Sequence, residues 1–263
     1  MTDSVPSFRS NLARIEPDDR LVVLARTIQV RGPHAETELI DRAVNWARFG
    51  KTCLGQALYR HRSTFRNASK AAVWSHLELS YFRDIIPDDV IHELVARPQP
   101  PETQVLRAEI LLTTPSAFVL PSDWQGSANR PEWQASLEYI EVESLCLSKY
   151  RQVMREYIGP AAAQLVQANR IGTFRAMETA VVLYRDPALA IDWNQIHLCE
   201  LEAGSFNGFA QAFDAVLREI SPDSDLAAVF ADLDRMRTIP RWTFNDPVVE
   251  GDAAVGRKGT ATP

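Results

Sequence analysis

The sequence predicts an α+β fold in which one order of elements, strand, helix, strand, strand, helix, strand, occurs twice. Two observations predict this fold. A short segment that begins at Trp74 is matched about 120 positions later by a segment that begins at Trp193, and each contains a His-Leu step. Around both copies, apolar residues switch in the same order between the two-residue period of strands and the 3.6-residue period of helices.

The first unit begins with an apolar, β-branched strand, which Gly32-Pro33 ends. The helix that follows carries one apolar stripe and stops at Gly50, and a second, shorter helix begins near Pro87, where proline suits a helix N-terminus. The predicted strands are residues 21–30, 54–64, 71–82 and 105–112, and the second and third of them form a hairpin.

The second unit repeats this order at greater length. Gly159-Pro160 is expected to kink or restart its first helix, and Ser205 is expected to cap a helix with a phenylalanine stripe. An additional helix precedes the last strand. The predicted strands are residues 137–145, 173–184, 193–201 and 238–245.

The domain boundaries follow from changes in composition. The first unit is predicted over residues 18–114 and the second over residues 135–247. Residues 115–134, rich in Pro, Ser, Gly and Asn, are expected to form a linker, and residues 248–263 a flexible tail.

Composition and charge narrow the function. A formal net charge of −6 argues against binding to nucleic acid or to an anionic membrane, because either partner needs a basic face. The three cysteines are widely spaced, so we expect no disulfide framework and a cytoplasmic location. No phosphate-binding or metal-binding motif occurs in the sequence, and no metal or other cofactor is expected.

The two βαββαβ units are ferredoxin-like in order. Residues 21–245, with the repeated strand, resemble the dimeric α/β-barrel superfamily, in particular tandem forms related to antibiotic-biosynthesis monooxygenases. The resemblance implies two ferredoxin-like units whose antiparallel sheets pack face to face into one barrel within the chain, with helices outside. It leaves a homodimer open.

Strand alternation then assigns side chains to the barrel interior. On the two repeated strands, we expect the aromatic and ionisable face to point inward and Leu77, Leu79 and Leu198 to lie under helices. The residues predicted to line an interior pocket are Trp74, His76, Trp193, Gln195, His197, Tyr139 and Glu141, with Tyr59 and His61 from a neighbouring strand.

The resemblance implies a small-molecule enzyme of bacterial specialised metabolism that acts on an aromatic or polyketide-like substrate, by cofactor-independent oxygenation or by acid–base cyclisation. His197 or His76 would be the base, with activity falling below about pH 6, and Glu141 would orient a histidine or act as the acid. Trp74 and Trp193 would enclose the substrate ring. Two alternatives stay open: a non-catalytic small-molecule binder, and a haem protein with an axial histidine.

Overall fold

The computed structural model describes residues 20–45, 53–67, 74–83, 85–96, 102–121, 132–223 and 225–252. Several predictions fall outside these residues: the stop at Gly50, the start of the strand at 71–82, most of the linker and the last part of the tail.

Eight strands form one closed barrel in which every neighbouring pair is antiparallel. The strands are β1 (Val22–Val30), β2 (Cys53–Asn67), β3 (His76–Phe82), β4 (Thr103–Val119), β5 (Trp133–Val142), β6 (Thr173–Arg185), β7 (Gln195–Glu202) and β8 (Arg237–Asp252).

The helices differ between the first half, β1 to β4, and the second half, β5 to β8. The first half carries α1 (Pro33–Val44) and the short α2 (Asp88–Ile91), which continues as a π-helical turn. In the second half, α3 (Leu147–Val153) passes through a π-helical turn (Met154–Ile158) into α4 (Gly159–Gln167). The helices α5 (Phe206–Ile220) and α6 (Leu226–Asp234) follow β7.

The order of strands around the barrel is the same in each half. It runs β4-β1-β3-β2 in the first half and β8-β5-β7-β6 in the second. The outer strands of the two sets pair with each other, β2 with β8 and β4 with β6, and these two pairings close the barrel. The barrel expected within one chain therefore forms as a single continuous sheet, with opposite walls facing each other.

Two predicted boundaries are wrong. Residues 115–119, assigned to the linker, continue β4 to Val119, where Phe118 and Val119 pair with β6. Residues 248–252, assigned to the tail, continue β8, where Val249 pairs with Leu58. In both cases a strand of the other half supplies hydrogen-bond partners, which local composition does not reveal.

The barrel wall separates two kinds of core. Inside it, small and aromatic residues such as Ala25, Ala57 and Tyr139 form one cluster. Outside it, α1 and α2 cover apolar residues of the first half, and α3 to α6 cover those of the second half. Most strand residues are consequently buried on both faces.

The contact of α4 with β4 gives a test of this packing. A Cβ at Gly159 would overlap the backbone carbonyl oxygen of Ser116, so we expect Gly159→Ala to lower the free energy of unfolding by about 1–3 kcal/mol in urea denaturation. The matched control is Gly208→Ala in α5, where a Cβ meets no atom within 4 Å. That variant should gain about 0.4–1 kcal/mol. Equal stability of the two variants would contradict the packing described.

Candidate functional site

The faces of β3 and β7 are the reverse of those predicted. Leu77, Leu79 and Leu198 belong to the cluster inside the barrel. His76 instead lies on the helix-covered face, where its Nε2 is 3.5 Å from Glu36 of α1. His197 likewise lies under the helices of the second half, beside Tyr150. The interior pocket predicted for the two histidines is therefore wrong.

The two tryptophans are nevertheless inside the barrel. Trp74 and Trp193 each precede a strand, β3 at His76 and β7 at Gln195, so strand alternation does not extend to them. Backbone N–H groups show the true correspondence: Ser75 donates to the carbonyl of Ile28, and Asn194 donates to that of Ile140. Trp74 thus matches Trp193, whereas His76 matches Gln195 and His197 matches Glu78.

The interior of the barrel is a packed core. The Trp74 and Trp193 rings are 5.4 Å apart, and Tyr139 lies 4.8 and 5.0 Å from them. The Arg241 guanidinium stacks 3.8 Å from the Trp74 ring and that of Arg107 stacks 4.2 Å from Trp193. These aromatic rings pack against one another and against two arginines. Their faces are therefore in contact with protein rather than with a substrate ring.

The other predicted residues are dispersed. Tyr59 is inside the barrel, where its hydroxyl donates to Glu200 at 3.1 Å. Gln195 is buried on the helix-covered face of β7, the face that bears His197. Glu141 is exposed, beside a register shift in β5, and His61 is only partly buried, with Nε2 2.9 Å from Thr64.

A cavity of about 670 Å³ lies instead between the sheet of the second half and its helices. Its wall includes residues of β5 to β8, the π-helical turn, α5 and α6. The aromatic residues that line it are Phe174, Phe206, Phe209, Phe213, Phe230 and Trp242. Such an apolar cleft with a few polar groups is typical of a small-molecule site.

Strand register brings polar residues of the cavity into one row. Ala176 is opposite His197, His197 is opposite Glu138, Glu138 is opposite Trp242, and Trp242 is opposite Arg66 of β2. Of these, all but Ala176 line the cavity. The row therefore places the His197 imidazole beside the Glu138 carboxylate, with the Trp242 indole between that carboxylate and the Arg66 guanidinium.

Two further residues complete the polar cluster. Tyr150, from α3, lies behind His197 with its hydroxyl 3.4 Å from His197 Nε2. Arg237, from the start of β8, donates through Nη1 to Tyr150 Oη at 3.4 Å and is 4.0 Å from Glu138. The Arg237 Nε has no hydrogen-bond acceptor within the described residues. It lies 3.8 Å from an Asp234 carboxylate oxygen, at ion-pair distance.

Burial sets the ionisation of this cluster. It lowers the pKa of His197 to about 3, with a further decrease from Arg237, so the imidazole is neutral at physiological pH. Burial raises the pKa of Tyr150 to about 12 and also raises that of Glu138, although Arg237 and Arg66 oppose the second shift. The pKa of the Cys199 thiol is raised by burial as well, so Cys199 is a protonated wall residue.

The expected loss of activity below pH 6 assumed an ordinary imidazole pKa, whereas burial lowers the pKa of His197, and a titration tests this difference. We expect the His197 ring resonances in NMR to stay unchanged down to about pH 4, since the pKa is about 3. An unfolded histidine binds a proton near pH 6.5, so the free energy of unfolding should fall as pH drops from 6.5 toward 3. His197→Gln should weaken this dependence, and a midpoint near pH 6.5 would contradict the burial.

The matching position in the first half is filled. Arg26 and Glu78, which correspond to Glu138 and His197, form a fully buried ion pair there. Arg26 Nη1 also donates to the Leu94 carbonyl at 2.8 Å. In the first half these side chains fill the helix-covered row. The equivalent row of the second half faces the cavity.

Sequence reasoning missed Glu138, Tyr150 and Arg237. One signal was present: Glu138 shares a strand face with the apolar residues Ile140 and Val142, where a buried carboxylate needs a charged or hydrogen-bonding partner. Tyr150 falls among apolar residues of its helix, such as Val153 and Met154, and no sequence pattern marks Arg237.

The described residues include neither a metal-binding cluster nor a membrane-crossing helix. No group of three or more His, Cys, Asp and Glu residues is arranged to hold a metal ion. Among the helices described, none combines the length and apolar character required to cross a membrane.

The closed eight-stranded sheet with outer helices is the dimeric α+β barrel fold. The chain is similar to an anthrone oxidase-like protein, at 14% identity and a TM-score of 0.53, over 94% of this chain and 98% of that one. It is also similar to a candidate monooxygenase from Fusobacterium nucleatum, at 7% identity and a TM-score of 0.53, over 90% and 96%. No family model and no curated protein matches the sequence. Likenesses at such identities show the fold alone.

Proposed function

We propose that the protein is an enzyme that binds an aromatic small molecule in the cavity of its second half and oxygenates it without a metal or organic cofactor. The observation that carries this proposal is the cavity of about 670 Å³, lined by six aromatic residues and by Glu138, His197 and Arg237. Flat apolar walls favour a planar ring system, and the polar row offers a base and a cation at one side.

The residues divide the chemistry as follows. Glu138 is the general base, because burial raises its pKa and a carboxylate with a higher pKa is a stronger base. Arg237, whose guanidinium lines the cavity, stabilises the negative charge that forms on a substrate oxygen. The neutral His197, held by Tyr150, supplies a hydrogen bond that orients the substrate. The base role thus passes from His197 to Glu138.

The proposed reaction balances without another reactant. Glu138 removes a proton from a carbon activated by the aromatic ketone. The carbanion adds dioxygen, and the resulting peroxide anion takes the proton back from Glu138 to give a hydroperoxide. Loss of water from the hydroperoxide gives a quinone, so one dioxygen is consumed and one water is released for each substrate. The fold shared with an anthrone oxidase-like protein supports the choice of an anthrone as the test substrate.

The test is oxygen uptake and quinone formation with 1,8-dihydroxyanthrone, corrected for the reaction in heat-denatured protein. Ala210→Trp, an exposed position on α5 that lines the cavity, should lower kcat/KM by narrowing the site. Binding of the anthrone without consumption would favour the second candidate, a non-catalytic binder, which the apolar cavity also supports. Acid–base cyclisation would appear as turnover of a polyketide-like substrate without oxygen uptake.

Haem does not fit this site. His197 is the only histidine of the second unit, its Nε2 lies 3.4 Å from the Tyr150 hydroxyl, and its ring packs between Tyr150 and Phe174. An iron atom would have to displace these contacts, so we derive no step through haem. A Soret band in the purified protein would contradict this conclusion.

The wider setting is also a proposal. Two tandem ferredoxin-like units, over residues 18–114 and 135–247, agree with the strand order that recurs in each half. A role in bacterial specialised metabolism, a cytoplasmic location and the kinship with antibiotic-biosynthesis monooxygenases depend on the resemblance of the sequence. A homodimer stays open.

A further inference from the structure

One strand of the first half extends to the cavity of the second half. Among the described residues, the register of β3 with β2 runs from Cys53 to Arg60, whereas β8 pairs with β2 as far as Asn67. We call residues 61–67 the β2 arm. By sequence the arm belongs to the first half, yet it lies against the last strand of the second half.

A β-bulge turns the end of this arm toward the cavity. Thr64 is opposite Thr243 and Arg66 is opposite Trp242, so that Phe65 is an extra residue on β2. Such bulges re-aim the side chains that follow and are frequent beside active sites. Phe65 packs 4.8 Å from the Trp242 ring, and Arg66 lines the cavity where it meets solvent.

Arg66 has a free guanidinium. Among the residues that the structure describes, it makes no ion pair or side-chain hydrogen bond, and it acts on Glu138 only at longer range. The other cavity arginine near solvent, Arg218, is instead engaged by Asp214 at 3.0 Å and Asp225 at 3.8 Å.

The acids of the cavity rim are also engaged. Asp214 accepts the backbone N–H of Leu226 at 2.8 Å, and Asp225 accepts that of Ala228 at 2.7 Å. Asp234 lies 3.8 Å from Arg237. Of the cations at the rim, Arg66 is therefore the one without a carboxylate partner among the described residues. It lies at the end of the β2 arm, next to the bulge.

We propose that the ligand of this cavity is an aromatic molecule that carries an anionic substituent, and that Arg66 binds this substituent. The inference rests on the proposed function, since it concerns the same cavity. Arg66 and Glu138 are two strands apart in the row, a distance of about 10 Å. A fused aromatic ring system that spans them lies across Trp242, with its reacting carbon at Glu138 and its anion at the mouth.

Two fluorescent probes test this inference, because they share one aromatic skeleton and differ in a single anionic group. They are 1-anilinonaphthalene-8-sulfonate and the neutral N-phenyl-1-naphthylamine. We expect Arg66→Gln to weaken binding of the sulfonate by about fivefold to tenfold, the effect of losing a charge-assisted contact near solvent. Affinity for the neutral amine should stay the same.

The matched control is Arg62→Gln, which removes the same charge from the same arm. Arg62 pairs with Asp246 at 3.5 Å and does not line the cavity. Equal losses of sulfonate affinity in the two variants, or no loss in Arg66→Gln, would overturn the inference. Binding of the neutral amine would in that case still support the cavity as a binding site. Binding of neither probe, or no decrease for either in Ala210→Trp, would overturn the proposed function as well.

Discussion

Glu138→Gln should lower the kcat of anthrone oxidation by about 10²- to 10⁴-fold, with KM little changed, because the amide keeps the shape of the carboxylate but accepts no proton. The base must be ionised to act, and burial raises the pKa of Glu138 above the usual value of 4.5. The wild-type rate should therefore rise with pH through this higher pKa. The residual rate of the variant should lack that rise.

The control for Glu138 is Glu141→Gln. Glu141 lies on the same strand but is exposed and does not line the cavity, so we expect wild-type activity from this variant. If Glu138→Gln were fully active while His197→Gln lost at least a hundredfold, the base would be His197 and the assignment made from burial would be wrong.

Arg175→Met should lower the free energy of unfolding by about 3–5 kcal/mol, since it leaves a buried carboxylate without its cation. Arg175 Nη2 donates to Glu200 at 3.2 Å, and Nη1 donates to the hydroxyls of Tyr59 and Tyr81 at 3.1 and 3.0 Å. These contacts join β6 and β7 of the second half to β2 and β3 of the first through the barrel interior. Chemical denaturation followed by tryptophan fluorescence measures the loss.

Two further variants separate pairing from packing. Arg218→Met removes an exposed pair that solvent screens, so it should cost far less than Arg175→Met. Arg175→Met combined with Glu200→Leu should recover part of the loss, because the carboxylate that Arg175 pairs with is then removed as well. Equal stability of Arg175→Met and Arg218→Met would show that the interior network does not hold the halves together.

Much of the architecture followed from local pattern. The order of strands and helices, the repeat that begins at Trp74 and Trp193, and the break at Gly32-Pro33 all depend on residues near one another in sequence. The ends of β4 and β8 did not, because strands of the other half stabilise them.

The site was only partly predictable. His197 was recognised as a candidate, and it does line a cavity, but the partners assigned to it were wrong. Glu138 becomes its neighbour through the register of β5 with β7, and Arg66 joins the same row through a bulge in β2. Register and bulges depend on pairing between distant strands, so no local pattern reports them.

The sequence by itself determined that β3 and β7 have two chemically different faces and that each is preceded by a tryptophan. Only the tertiary structure decided which face is inside. Alternation shows which side chains share a face of a strand, but not which face points into the barrel. Polarity could not decide this, because helices cover one face and the closed barrel buries the other. The polar face of β7 meets a cavity under the helices, whereas the matching face of β3 is neutralised by the ion pair of Arg26 with Glu78.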